Sequence, residues 1–174
     1  MTRGGFGAVG SPAPVLLYHP ADLVQNSPAS GTTALALTGG MAFRIQSDLA
    51  VVGARVSWAA AAGAPTLTCV QYDPAGVVID TTTAVLDTTK HLYTLAFADP
   101  IRLWDYGDGV FVIAAYDSSA ANYFSLIAAA LPPPYVAGDG VESLGPIYSL
   151  GAGVYPTTYT AVETYGVEPQ FVRL

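Results

Sequence analysis

The chain has 174 residues, of which 52% are hydrophobic and only 11% are charged, and its formal net charge is −7. Soluble domains are usually about a quarter charged and a little under half apolar. The apolar fraction of this chain is too high for most of it to be disordered. The length suits one domain with its own core. The most apolar stretch, residues 49–64, contains Arg55 and several glycines, so no membrane insertion is expected. The residues after Met1 do not resemble a secretory signal peptide.

Charge and hydropathy together point to an assembled protein. Six basic residues are too few to follow a phosphate backbone, so nucleic acid is not an expected partner. The single cysteine excludes an internal disulfide. The mean hydropathy is nevertheless positive. Apolar surface beyond what one domain can bury is typical of a chain that buries it against other subunits.

Residues 1–32 are predicted to form an extended arm, because glycine and proline interrupt every possible long helix or strand. The arm contains one short apolar run, made of Val15, Leu16, Leu17 and Tyr18. Such a run could add a strand to an exposed sheet edge, and we expect it to be the assembly element of the arm. The edge could belong to the same chain or to a neighbouring subunit, and the sequence leaves both open.

Residues 33–174 are predicted to form one β-sandwich domain. Apolar and polar residues alternate over 52–58, and residues 66–72 are rich in β-branched side chains. Asp73, Pro74 and Gly76 predict a turn, so that residues 66–80 form a hairpin.

The rest of the domain shows the same spacing of short strands and turns. Strands are expected at residues 91–97, 101–104, 110–116 and 123–131 and at 170–174, with a turn at 105–109 and a looser, glycine-rich region over most of the last forty residues. For residues 123–131 a short helix is the alternative. Without a convincing helix, this pattern predicts an all-β fold, an antiparallel, jelly-roll-like β-sandwich with an extended N-terminal arm.

The sequence offers little for catalysis. Residues 5–10 match a dinucleotide-binding motif by letters, but no strand precedes them and prolines follow. Cys69 alternates with Leu67 and is expected to face the core, while most aspartates stand beside glycine or proline, where they serve turns. We therefore predict no catalytic residue, no metal ligand and no cofactor.

Tyrosine is the most informative residue type. Nine of the eleven tyrosines follow residue 90, and four of them stand in the loop-rich tail: Tyr148, Tyr155, Tyr159 and Tyr165. A tyrosine combines a flat apolar face with a hydroxyl group, which suits core packing, subunit contact and sugar stacking alike. These four are candidate glycan or subunit contacts, with ordinary sandwich packing as the alternative.

The order of these elements resembles a known family. The carrying segments are residues 40–48 followed by 52–58, the hairpin at 67–76, the strands at 92–97, 100–103 and 108–116, and the tail at 155–159 and 165–171. They are similar to a β-sandwich domain of unknown function that occurs in bacterial surface proteins and in minor tail proteins of actinobacterial phages. The family often has a tryptophan where this chain has Lys90 and His91, and residues 131–151 have no counterpart. The resemblance implies a binding or adhesive role and no catalytic residues.

The surface proteins of that family carry export signals, which are not expected here, whereas a phage protein needs none. We therefore expect a non-enzymatic virion structural protein, a phage minor tail, baseplate or capsid-decoration component, that acts by subunit assembly. It would be made in the host cytoplasm, and its partners would be copies of itself and other virion proteins. The alternative is a carbohydrate-binding or adhesin module, located at the cell surface or on the virion, that recognises host surface glycans.

Overall fold

A computed structural model describes residues 31–33, 36–60, 62–88, 92–118, 122–124, 135–137, 140–160 and 166–174. In these ranges the elements are β1 (Gly31–Thr33), β2 (Leu37–Ile45), β3 (Leu49–Ala60), β4 (Thr66–Tyr72), β5 (Val78–Val85), β6 (Leu92–Arg102), a 3-10 helix (Leu103–Tyr106), β7 (Phe111–Asp117), β8 (Asn122–Phe124), β9 (Tyr135–Ala137), β10 (Val141–Leu150), β11 (Thr158–Tyr159) and β12 (Val167–Arg173). No helix in the described part of the chain has the length and apolar character needed to cross a membrane.

The strands form two antiparallel sheets that pack face to face. The seven-stranded sheet has the order β11-β10-β2-β7-β4-β5, and β9 also pairs with β10. The five-stranded sheet has the order β1-β8-β3-β12, and β6 also pairs with β3. This arrangement confirms the predicted antiparallel β-sandwich. The first strand begins at Gly31 and so includes the last two residues of the predicted arm, and residues 1–30 lie outside the described ranges.

The main core lies between the sheets and is centred on aromatic rings. The rings of Phe43 and Phe111, on β2 and β7, stack with their centroids 5.9 Å apart. Phe171 of β12 meets Phe43 edge-on at 5.0 Å, and so joins the two sheets. Trp58 of β3 is also buried, and its Nε1 donates a hydrogen bond to Asp117 Oδ2 at 2.7 Å. Each large apolar side chain buried in this way contributes about 1.5–3 kcal/mol to folding.

The predicted hairpin is confirmed, including its turn. Residues 66–72 of β4 pair with β5, and Asp73 Oδ1 accepts hydrogen bonds from the backbone N–H groups of Ala75 and Val77, both at 2.8 Å. Gly76 has φ +78°, a conformation that glycine adopts without strain. In β6, Tyr93, Leu95 and Phe97 alternate along the strand and are all buried, so this face of β6 packs in the main core.

Two sequence expectations are wrong. Residues 101–104 do not form a separate strand, because β6 ends at Arg102 and the chain turns through a 3-10 helix to Gly107, where φ is +80°. The tail is also less loose than expected. The ten-residue strand β10 pairs with β2 along its length, and a bulge between Ser143 and Gly145 shifts its register. The last strand begins at Val167 rather than at residue 170.

The region predicted at 123–131 is a strand where it is described. Residues 122–124 form β8, which pairs with β1 and with the end of β3. Residues 125–131 lie outside the described ranges.

Gly40 provides a test of how closely the seven-stranded sheet is packed. It lies in β2 opposite Ala114, and a Cβ there would overlap the carbonyl oxygen of Ile113 and stand 2.5 Å from Ala114 Cα. We expect Gly40→Ala to lower the free energy of unfolding by about 3 kcal/mol, measured by urea denaturation, since a fixed backbone must move. Gly63→Ala is the control: it adds a Cβ in open space at φ +72° and should cost about 1 kcal/mol. Equal losses in the two variants would contradict this packing.

Candidate functional site

The seven-stranded sheet is apolar on both of its faces. Along β7, Phe111 and Ile113 point into the sandwich, whereas Val112 and Ala114 point to the opposite side, and all four are fully buried. The outward-facing residues form a second cluster, which we call the outer cluster: Ala42, Val70, Tyr72, Val112, Ala114 and Ile147. Because side chains alternate along a strand, a strand that is apolar throughout needs cover on both sides.

The loop between β10 and β11, residues 151–157, supplies part of that cover. Thr38 Oγ1 donates a hydrogen bond to the carbonyl oxygen of Gly151 at 2.7 Å. Ser149 Oγ donates to the carbonyl oxygen of Tyr155 at 3.0 Å and accepts from the N–H of Thr157 at 3.1 Å. These bonds hold both ends of the loop to β2 and β10, and Tyr155 of the loop packs against the outer cluster.

Tyrosine rings make the contact between this loop and the sheet. Tyr155 meets Tyr72 of β4 edge-on, with ring centroids 5.1 Å apart and planes at 77°. Gly153 approaches the ring of Tyr116 so closely that an added Cβ would stand 3.3 Å from its Cζ. The absence of a side chain at Gly153, together with its φ of +73°, allows the loop to lie this close.

Burial changes the acid–base properties of these tyrosines. Burial raises the pKa of Tyr72 to about 12, and the nearby hydroxyls of Tyr116 and Tyr155 act in the same direction. Burial also raises the pKa of Tyr155, with smaller contributions from Tyr159 and Asp73. At neutral pH the hydroxyls of Tyr72 and Tyr155 are therefore protonated and can donate hydrogen bonds.

Apolar side chains also surround this cluster at the surface. We call the outer patch the half-buried Tyr155 together with four exposed residues: Val77, Val78, Val154 and Tyr159. Val77 is 60% exposed, Tyr159 is 51% exposed and Val154 is 46% exposed. Val78 stands opposite Tyr72 across the β4–β5 pair, and a Cβ added to Gly76 would stand 3.5 Å from the ring of Tyr155, so the hairpin and the loop are neighbours.

The structure separates the predicted tyrosines. Tyr155 and Tyr159 lie together in the outer patch, where subunit or glycan contact remains a prediction. Tyr148 packs against the main core instead, opposite Gly39 in β2. Tyr165 lies outside the described residues, as do Val15, Leu16, Leu17 and Tyr18 of the arm.

Two exposed aromatic residues were not among the predicted site residues. Trp104 and Tyr106 lie on the 3-10 helix and are 53% and 42% exposed. Asp105 lies between them, and the following loop reaches the β4–β5 turn, where an added Cβ on Gly109 would stand 2.5 Å from Pro74 Cβ. The signal was available in the sequence: two aromatic residues stand within a run of aspartate and glycine, which favours a surface loop over a strand.

The described residues offer little else that is reactive. Burial raises the pKa of the Cys69 thiol to about 12, so it is protonated at neutral pH, and its predicted place in the core is confirmed. Within the described ranges no group of three or more histidine, cysteine, aspartate or glutamate side chains could hold a metal ion.

No family model, no curated protein and no solved structure matches this chain.

Tyr72 gives the outer cluster a measurable pH dependence. In the unfolded chain a tyrosine releases its proton near pH 10, whereas in the folded protein Tyr72 holds it up to about pH 12. The folded state therefore binds more protons above pH 10, and this contribution to stability is complete below pH 10 and is lost as the pH rises towards 12. We expect urea denaturation at pH 9 and pH 11.5 to show a smaller loss of stability for Tyr72→Phe than for the wild type. Tyr159→Phe, at an exposed position, is the control. If Tyr72→Phe lost as much stability between the two pH values as the wild type does, the raised pKa of Tyr72 would be contradicted.

Proposed function

We propose that this chain is a non-enzymatic structural subunit of a virion, located in a phage tail or baseplate or decorating the capsid, and that it acts by contact between subunits. The outer patch is the observation that supports this proposal most directly. It exposes several large apolar side chains on a protein that has only six basic and thirteen acidic residues. Exposed apolar surface of this kind typically marks a protein interface.

The position of the patch favours contact with another protein. It lies on a layer held in place by backbone hydrogen bonds and by the hydrogen-bonded loop at residues 151–157. Because this layer is already ordered, little conformational freedom would be lost on binding. Tyr155 and Tyr159 supply the aromatic component that protein interfaces are rich in. The uncharged majority of the surface gives little electrostatic steering, so burial of apolar area would provide most of the affinity.

The arm is the second part of the proposal. It reaches β1 at Gly31, which lies at the edge of the five-stranded sheet. We propose that Val15, Leu16, Leu17 and Tyr18 add a strand to a sheet edge of a neighbouring subunit, with docking on the chain's own sheet as the alternative.

The proposal is tested with variants of the outer patch and of the arm. We expect the full chain to co-sediment with particles in lysates of the phage that encodes it, and the double variant V77D/V154D to remain in the supernatant, because two carboxylates would have to be desolvated at the interface. The double variant A62D/A64D adds the same charge at exposed positions at the other end of β4 and should behave as the wild type.

The arm has a distinguishable effect. Removal of residues 1–30 should prevent incorporation with an unchanged melting temperature if the arm docks on a neighbour, and should lower the melting temperature if it docks on its own sheet. Normal incorporation of the patch variant would contradict the role of the outer patch, and a wild-type chain absent from particles would contradict the structural function itself.

Trp104 and Tyr106 favour a second candidate function, the recognition of host surface glycans. An exposed indole and phenol beside Asp105 combine apolar ring faces with a carboxylate that accepts hydrogen bonds from sugar hydroxyls. In the outer patch, the exposed ring of Tyr159 offers the same kind of stacking surface for a sugar.

A glycan array with the full chain tests this alternative. If sugars bind at the 3-10 helix, Trp104→Ala should lose binding by at least about tenfold while Tyr159→Ala keeps it, and both should fold, because each ring is about half exposed. Loss of binding in Tyr159→Ala but not in Trp104→Ala would place the glycan at the outer patch. A wild-type chain that binds no glycan would rule out the second function.

A further inference from the structure

We propose that β5 is a self-association edge, on which β5 of a second copy pairs antiparallel about a two-fold axis at Thr82. The two seven-stranded sheets would then become one continuous sheet. This inference rests on the proposed function, since it names one of the contacts between subunits.

The strand β5 is long and contains no proline, and its register shift lies at one end and leaves residues 80–85 regularly paired. Natural edge strands are protected by proline, by charges, by bulges or by short length, because their free N–H and C=O groups would otherwise pair with another chain. Among the described strands, β6 and β12 are the other long edges, and they contain Pro100 and Pro169. At the opposite edge of the seven-stranded sheet, the described strands β9 and β11 have three and two residues. By contrast, β5 has eight residues, no proline and a single charge, on Asp80.

The composition of β5 also favours extended pairing. Six of its eight residues are β-branched, and three consecutive threonines lie at its centre. Its exposed side chains share one face. Val85, Thr83 and Thr81 stand opposite the outward-facing residues of β4, and the register shift at the start of β5 places Val78 on the same face. Val78 and Val85 are 51% and 66% exposed.

The side-chain pattern of β5 is complementary to itself. Residues directly opposite in an antiparallel pair share a face, so a two-fold axis within one strand must pass through a residue. An axis at Thr82 places Thr81 opposite Thr83 of the second copy and Asp80 opposite its Ala84. Because the register shift leaves Ile79 outside the pairing, Val78 lies opposite Val85 of the second copy. The two Asp80 carboxylates stand apart, so no like charges face each other within the pair.

The length of the edge decides between the two available occupants. Pro14 and Pro20 enclose the apolar run of the arm, so at most five of its residues could pair. A second β5 covers seven of the eight positions and carries its own outward valines. A single strand pair buries less area than a standard interface, so we expect a weak dimer with a dissociation constant of roughly 10 µM to 1 mM.

Two charge variants of the full chain test the pairing and its register. In T81K/T83K each lysine would face a lysine of the second copy, and we expect the dissociation constant measured by sedimentation equilibrium to rise by at least about tenfold. In T81K/T83E each lysine would face a glutamate, and the dimer should be at least as stable as the wild type. Both positions are exposed, so both variants should melt as the wild type does. The two variants differ at one residue, which makes each the control for the other.

Three results would overturn the inference: a wild-type chain that stays monomeric at millimolar concentration, a T81K/T83K dimer as stable as the wild type, or a folded T81K/T83E variant that is monomeric. None of them would affect the proposed function, because that function is judged by incorporation into particles and by the outer-patch variant. Loss of incorporation in T81K/T83K but not in T81K/T83E would support both.

Discussion

The central constraint on this structure is that the seven-stranded sheet must be covered on both faces. Its middle strand β7 buries Phe111 and Ile113 on one side and Val112 and Ala114 on the other. The five-stranded sheet covers the first side through contacts such as Phe43 with Phe171. Among the described residues no sheet covers the second side, and the loop at residues 151–157 takes that role with the Tyr72–Tyr155 contact. Tyr148 and Tyr155 thus have a packing role before any binding role.

Three of the arginines form ion pairs with carboxylates of neighbouring segments of the chain. Arg44 lies 3.8 Å from Glu142 across β2 and β10, and Arg102 pairs with Asp48. Arg55 Nε donates to Glu168 Oε2 at 2.9 Å across β3 and β12, and that carboxylate is nearly fully buried. Three of the six basic residues are thus paired with carboxylates, and the net charge of the whole chain is −7. An excess of acidic charge disfavours binding to phosphate groups.

The sequence predicted the local features and missed those that depend on distant partners. The hairpin around Asp73 and Gly76 was predictable because its turn chemistry lies within five residues. The strand β10 was not, because Gly145 and Pro146 ordinarily interrupt a strand and here follow a bulge at Ser143. That bulge also determines which residues of β10 face outward, so the inward position of Tyr148 could not be deduced from alternation. The exposure of Trp104 depends likewise on where β6 ends.

The two sheets therefore differ in their capacity to bind other chains. In the five-stranded sheet the long edges carry Pro100 and Pro169, which limit pairing with a further strand. In the seven-stranded sheet one face exposes the outer patch, and the β5 edge next to it has neither proline nor more than one charge. Val78 belongs to both features, because it ends the β5 edge and stands opposite Tyr72 under the patch. A subunit seated on the patch would thus also meet the end of β5, so that lateral strand pairing and face contact could reinforce one another. We infer that the seven-stranded sheet is the docking layer and that the five-stranded sheet mainly supports it.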